Sequence, residues 1–162
     1  MSIRRWKHTL KRVVAAEISR ISRYYDRLIQ YRPLESDDGE LIGLIDCPVK
    51  LVARDHADFP DLRGERESRT LVLLNGNLNH ELDIQGLLAG LKEKLARTSR
   101  VLAVAYNPYL KQLYWAANKV GLRQGELPGT FVTETDLRNI ARLAGYEIVR
   151  MRPAAFSPFD AY

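Results

Sequence analysis

Cysteine is nearly absent from this 162-residue chain: Cys47 stands alone, so no disulfide can close within it. No Cys/His pairs fall at zinc spacing, and the two facts together predict a reducing, cytoplasmic setting. Long hydrophobic runs are missing as well. No stretch approaches the roughly 18 apolar residues that a membrane span needs. Val13 to Ala16, the longest apolar stretch near the N-terminus, is too short for the core of a secretory signal. A soluble intracellular protein without a transmembrane segment is expected. Catalytic signatures are scarce too: there is no G-x-S-x-G elbow, no Walker loop and no H-E-x-x-H pair, and no internal repeat.

What is present suffices for one packed domain, or for one domain with a terminal arm. The residues are 46% apolar and 28% charged, a balance that excludes wholesale disorder. The net charge of +5 is uneven. Residues 1–32 hold nine Lys/Arg against Glu17 and Asp26, so this arm carries +7 and the rest sums to −2. Trp6, Leu10, Val13, Val14, Ile18, Ile21, Tyr25, Leu28 and Ile29 recur at steps of three and four. That spacing predicts an amphipathic basic helix which Pro33 stops, within an N-terminal segment 1–34. Its arginine face is either a solvated surface on a helix packed against the body or a contact for nucleic acid or an anionic membrane. No nucleic-acid motif supports the second option.

The body, residues 35–162, opens with an acidic turn (Glu35 to Gly39) and two short strand-like runs, Leu41–Ile45 and Val49–Ala53. Thr70–Leu74 is a continuous apolar run, the pattern of a parallel strand buried on both faces. Asn75-Gly76-Asn77 breaks it, and Asn79 caps a helix with Ile84, Leu87, Leu88, Leu91 and Leu95 on one stripe. Val101–Ala105 is a second buried strand, followed by a helix from Leu110 to Val120 closed by Gly121. Thr133 and Asp136 start a further helix that Gly145 ends, and Tyr146–Met151 is a final strand. Alternation of this kind predicts an α/β fold: a shortened, mostly parallel Rossmann-like sheet flanked by helices.

In an open parallel sheet, ligands bind outside the carboxyl ends of the strands. This selects Asn75 to His80 (NGNLNH) and Tyr106-Asn107-Pro108. Three asparagines around a glycine can both donate to and accept from a polar ligand. His80 is the one histidine at such a strand end and a candidate general base. A purely structural account stands beside this: Asn75 and Asn77 serve the turn, Asn79 is only a cap and His80 is solvated.

The segment Thr70–Leu95, TLVLLNGNLNHELDIQGLLAGLKEKL, is similar to the fourth strand and following helix of class I S-adenosylmethionine-dependent methyltransferases. Val101–Asn107 resembles the fifth strand, and Val132–Arg150, VTETDLRNIARLAGYEIVR, resembles the family's late D-L-x-x-L-L-x-x-A-G-F segment. The three matches run in the family's order over about half the chain. The family's glycine-rich E-x-G-x-G-x-G loop has no counterpart here, so the domain resembles an incomplete or degenerate member. The resemblance implies S-adenosylmethionine as cofactor, with Gly43-Leu44-Ile45-Asp46 similar to the second strand and Val52–Phe59 to the end of the third. It thereby places Asp46, Asp55 and His56, with Asn75, Gly76 and Asn77, at cofactor positions. It puts Asn79, Tyr106 and Asn107 on the side of an unidentified acceptor, with His80 as base. An incomplete sheet also exposes an edge. The alternative expectation is therefore a non-catalytic domain of this fold that pairs with a second copy or with another chain.

Overall fold

A computed structural model describes residues 3–112, 115, 119 and 128–152. Helix α1, Ile3–Ser22, leads through a tight turn into strand β1, Arg27–Tyr31. Helix α2, Glu40–Leu44, connects β1 to β2, Val49–Ala53. After a long loop come β3, Thr70–Asn75, the short helix α3, Asn77–His80, and α4, Ile84–Lys92. Strand β4, Arg100–Val104, a 3-10 turn, Pro108–Leu110, and α5, Glu134–Leu143, complete the described elements.

All four strands are parallel, in the order β2-β1-β3-β4. The architecture is α/β, a shortened Rossmann-like sheet flanked by helices. Side chains alternate across it as the pleat requires. Leu28, Leu71 and Leu73 point to one face, where Ala15 and Ile18 of α1 and Leu41 and Ile42 of α2 cover them. Ile29, Val72 and Leu74 point to the other, against Ile84, Leu87, Leu88 and Leu91 of α4. The two central strands, β1 and β3, are thus buried on both sides, while Val49, Leu51 and Val52 of edge strand β2 stay 43–51% exposed.

Four expectations from the sequence are corrected. Val101–Ala105, expected as a second buried strand, is the edge strand β4, whose residues are half-buried or exposed. The N-terminal helix does not run to Pro33: it ends at Ser22, and residues 27–31 form the central strand. Leu28 and Ile29 continue the helical spacing by coincidence, and Gln30 interrupts what is otherwise a doubly buried apolar run. Leu41–Leu44 is helix and not strand, with Ile45 its extended C-cap, and Leu41, Ile42 and Ile45 bury in the cluster that covers one face of the sheet. Tyr146–Met151 forms no strand. The helix expected from Leu110 to Val120, its Gly121 stop and the tail beyond Arg152 lie wholly or largely outside the described residues.

The start and stop of α5 fall where expected. Thr133 and Asp136 exchange the two bonds of a capping box. Gly145 takes φ 78, and the amides of Gly145 and Tyr146 bond back to Arg142 and Ala141, a Schellman stop that favours glycine. Tyr146 then docks α5 on α4: its hydroxyl donates to the Leu88 carbonyl at 2.9 Å, and burial pushes the phenol pKa well above its ordinary value. The neutral phenol is therefore the folded form. Its contribution is fully present below about pH 10, the unfolded value, and is lost as the pH rises through the folded one. Tyr146→Phe is expected to cost about 1 kcal/mol at neutral pH and to flatten the alkaline limb of the stability profile. Urea denaturation of both proteins across neutral and alkaline pH measures this, and an equally steep limb in the variant counts against it.

Candidate functional site

Strand β1 sends its connection to β2 on one side, while its other neighbour, β3, connects onward to β4. The order reverses between β1 and β3, and the crevice outside their carboxyl ends is the place where this architecture takes ligands. Two loops meet there, Arg32 to Gly39 after β1 and Gly76 to Asp83 after β3.

These loops are clasped together. Asp37 Oδ2 accepts from Gln30 Nε2 at 2.6 Å and from Asn75 Nδ2 at 3.1 Å, and its Oδ1 accepts from the Gly39 amide at 2.8 Å. Asn77 Nδ2 donates to the carbonyl of Arg32 at 2.7 Å. Arg32 pairs with Glu81 at 3.0 Å. Gly76 lies at φ 80 under Leu34, where a Cβ would come within 3.1 Å of Leu34 Cδ1. Arg32 itself sits at φ 48 directly before Pro33, a position that normally favours extended backbone. Left-handed backbone at such a residue costs roughly 1–3 kcal/mol.

On the α4 side of the same edge lies an open groove of about 390 Å³. Its walls are Tyr31 and Arg32 at the end of β1, His56 after β2, Glu81 and Asp83, and α4 from Gly86 to Gly90. Asp83 caps α4 through the Gly86 amide, and Tyr31 is backed by Phe59 in an edge-on ring contact at 5.3 Å.

The residues singled out in the sequence separate into groups. His56 lines the groove, and Asp55 beside it accepts from the amides of Ala57 and Asp58, which hold its carboxyl below the ordinary range. Asn75, Gly76 and Asn77 belong to the clasp. Asp46 does not join them. Its segment is the turn after α2, and it lies before β2, at the amino edge of the sheet, where its backbone bonds Ser19 and Ser22. Asn79 is fully buried and accepts from the Tyr106 amide at 2.6 Å while donating to the Thr130 carbonyl at 2.9 Å. It is not the helix cap; Asp83 is. His80 and Tyr106 face each other with ring centroids 6.3 Å apart. Asn107 is exposed and caps the 3-10 turn by accepting from the Tyr109 amide.

Gln30, Arg32, Asp37 and Glu81 were not recognisable as site residues. Gln30 hid inside an apparent helix, and Asp37 read as one more acid in a surface turn. The one available signal was Gln30 itself, a polar residue in an apolar run. Asp38 and Glu40, next to Asp37, are held by Lys11 of α1 at 2.5 and 2.6 Å, and His8 also pairs with Glu40. Lys11 holds both carboxyls below their ordinary values.

No protein-family model matches this chain, and no curated protein or solved structure matches it either. Among the described residues no group of His, Cys, Asp and Glu is arranged to hold a metal ion, and no helix is long and apolar enough to cross a membrane.

Asn79 makes the junction testable. Asn79→Ala removes a buried side chain and leaves the part-buried Tyr106 amide and Thr130 carbonyl without it, and a loss of about 1–3 kcal/mol is expected. Asn107→Ala, at an exposed cap, is expected to cost less than about 1 kcal/mol. Equal effects in urea denaturation would contradict the placement.

Proposed function

We propose that this chain is an S-adenosylmethionine-dependent methyltransferase-type domain acting on an unidentified acceptor. The reading rests on the three ordered segments that resemble that family. The observation that carries it is the groove at the carboxyl edge, beside the point where the strand order reverses. The groove offers charge of both signs, Arg32 against Glu81 and Asp83, which suits the amino and carboxyl groups of a methionine moiety. These residues fit the cofactor's amino-acid end, with His56 beside them for its polar remainder. Asp46, at the far edge, does not fit.

When bound, the cofactor supplies a methyl group on a sulfonium, a leaving group already poised for in-line displacement. The chain's own contribution is then mainly positioning. In this reading His80, one residue before Glu81 of the groove wall, is the base on the acceptor side. Its imidazole takes the acceptor's proton where the acceptor carries one, and the Tyr106 ring fixes one flank of that space. Isothermal titration with S-adenosylmethionine and its demethylated product tests the reading. Saturable micromolar binding, weakened about tenfold (roughly 1.4 kcal/mol) by Glu81→Gln or His56→Ala, is expected. No heat at millimolar ligand would sink it.

A second reading, a non-catalytic domain of this fold that completes its sheet with another copy or chain, is favoured by the exposed edge strand β2. Val49, Leu51 and Val52 leave apolar surface on both faces of an edge, the arrangement that natural sheets avoid unless it is paired. Light scattering across a concentration series separates the two. Mass rising to a dimer that Leu51→Lys returns to monomer supports pairing, and a strict monomer removes the homodimer.

A further inference from the structure

The clasp has the composition of a ligand site with its ligand attached. Gln30 is 1% exposed at the penultimate position of β1, and its Nε2 points to a carboxylate and not to another strand. Asn75 Nδ2 converges on the same Oδ2 from the end of β3, and the Gly39 amide serves the other oxygen. Two side-chain N–H donors from two separate strands therefore converge on one carboxylate oxygen at the strand-order reversal, while the Gly39 amide belongs to the same loop as Asp37. A buried glutamine in a central strand is not needed for the sheet, since Leu or Val would pack there without a partner to find. Its presence is explained by the carboxylate it binds.

That carboxylate belongs to Asp37, on a strap whose two ends, Arg32 at φ 48 and Gly39 at φ 71, both carry left-handed backbone. Between them Glu35, Ser36 and Asp38 are exposed, so the strap adds little to the core. At its root, Asn77 is 6% exposed, and its Oδ1 is a buried acceptor with no hydrogen-bond partner among the described residues. Turning the amide over would face that oxygen to the carbonyls of Tyr31 and Arg32, so the orientation is fixed by its Nδ2 bonds. The closed strap thus holds an unfavourable Arg32 and an unsatisfied acceptor together, and its release relieves the first and opens the second to a donor.

We propose that Gln30 and Asn75 form a carboxylate-binding site which Asp37 occupies in cis, and that a small carboxylate-bearing ligand takes the place of Asp37 when the strap swings away. The strap is then a built-in competitor: it keeps the crevice filled and dry, and it sets the ligand concentration at which the crevice opens. Lys11 and His8, which hold Asp38 and Glu40, anchor its far end to α1. The site shares Arg32 with the groove on the α4 side, but its donors Gln30 and Asn75 do not line that groove, and it does not depend on the cofactor reading.

The test is chemical rescue with acetate as the probe. Asp37→Ala removes the side-chain carboxylate and leaves a hole the size of one. Its Tm is expected to fall by about 3–6 °C. Sodium acetate, compared with sodium chloride at equal ionic strength, is expected to restore at least half of that loss in a saturable way. Wild type, in which Asp37 competes for the site, is expected to respond only at acetate concentrations well above those that saturate the variant, and Asp37→Ala/Asn75→Ala is expected to lose the rescue. Equal acetate shifts in wild type and variant, or none in the variant, overturn the proposal. Should Asp37→Ala fail to fold, hydrogen exchange of the wild type decides. Amides 33–39 are expected to exchange through local opening while those of β1 and β3 stay protected, and exchange only through global unfolding makes Asp37 a permanent structural part and overturns the proposal. None of these measurements uses S-adenosylmethionine, so rescue without cofactor binding leaves this site standing and removes only the cofactor reading.

Discussion

Everything in this molecule depends on burying two adjacent parallel strands, β1 and β3, on both faces. Leu28, Ile29, Leu71, Val72, Leu73 and Leu74 are each at most 1% exposed. At roughly 25 cal/mol per Å² of apolar surface, such residues dominate the favourable side of folding. A pair buried on both faces requires helices on both, and parallel strands require long crossovers to supply them. Helices α1 and α2 cover one face and α4 the other, which sends the connections after β1 and β3 to opposite sides. The crevice between those connections is not an added feature. It is the geometric remainder of covering a parallel sheet twice.

How the remainder is filled sets this chain apart from a sheet of this kind whose first loop is glycine-rich. A glycine-rich first loop would keep backbone close to the strand end and leave room for a ligand. Here the equivalent loop, Arg32 to Gly39, carries Pro33, Leu34 and Asp37 into the crevice. Leu34 lies on Gly76, and Asp37 joins Gln30 to Asn75. The polar residues that mark the crevice are satisfied mostly by one another, so the same side chains serve recognition and closure. The groove next to it, between β1, His56 and α4, is the part of the edge left open.

The legible parts of the fold were those where one residue pattern has one structural solution. Thr70–Leu74 is apolar at every position but the first, and only a doubly buried strand accommodates that. The α5 cap and its Gly145 stop are local chemistry, fixed within a few residues on each side. The parts that misled are those where tertiary context decides. Leu28 and Ile29 fit both a helix stripe and a strand, and only the need for a strand between β2 and β3 selects the second. Leu41, Ile42 and Ile45 fit a short strand equally well, and the connection between parallel neighbours makes Leu41 and Ile42 part of a helix. The candidate site followed the same division. Asn75 to His80 was visible because it follows the clearest strand, whereas Gln30 was hidden by the misread segment in front of Pro33 and Asp37 by the acidic turn behind it.

Asn79 shows why an asparagine-rich loop at a strand end is ambiguous until its partners are known. The same amide chemistry that recognises a ligand also replaces the ladder bonds a strand loses where it stops. Asn79 meets that second need, closing the Tyr106 amide and the Thr130 carbonyl across two loops. Asn75 serves the first kind of need but with Asp37 as its partner, and Asn77 is divided, one atom bonded and one buried without a partner. A structural pin has both ends tied to backbone, which cannot leave. A recognition residue is tied to a side chain on a movable strap, or to nothing. By that criterion the functional content of the loop lies in Asn75 and Asn77, and Asn79 is the fixed point about which they are held.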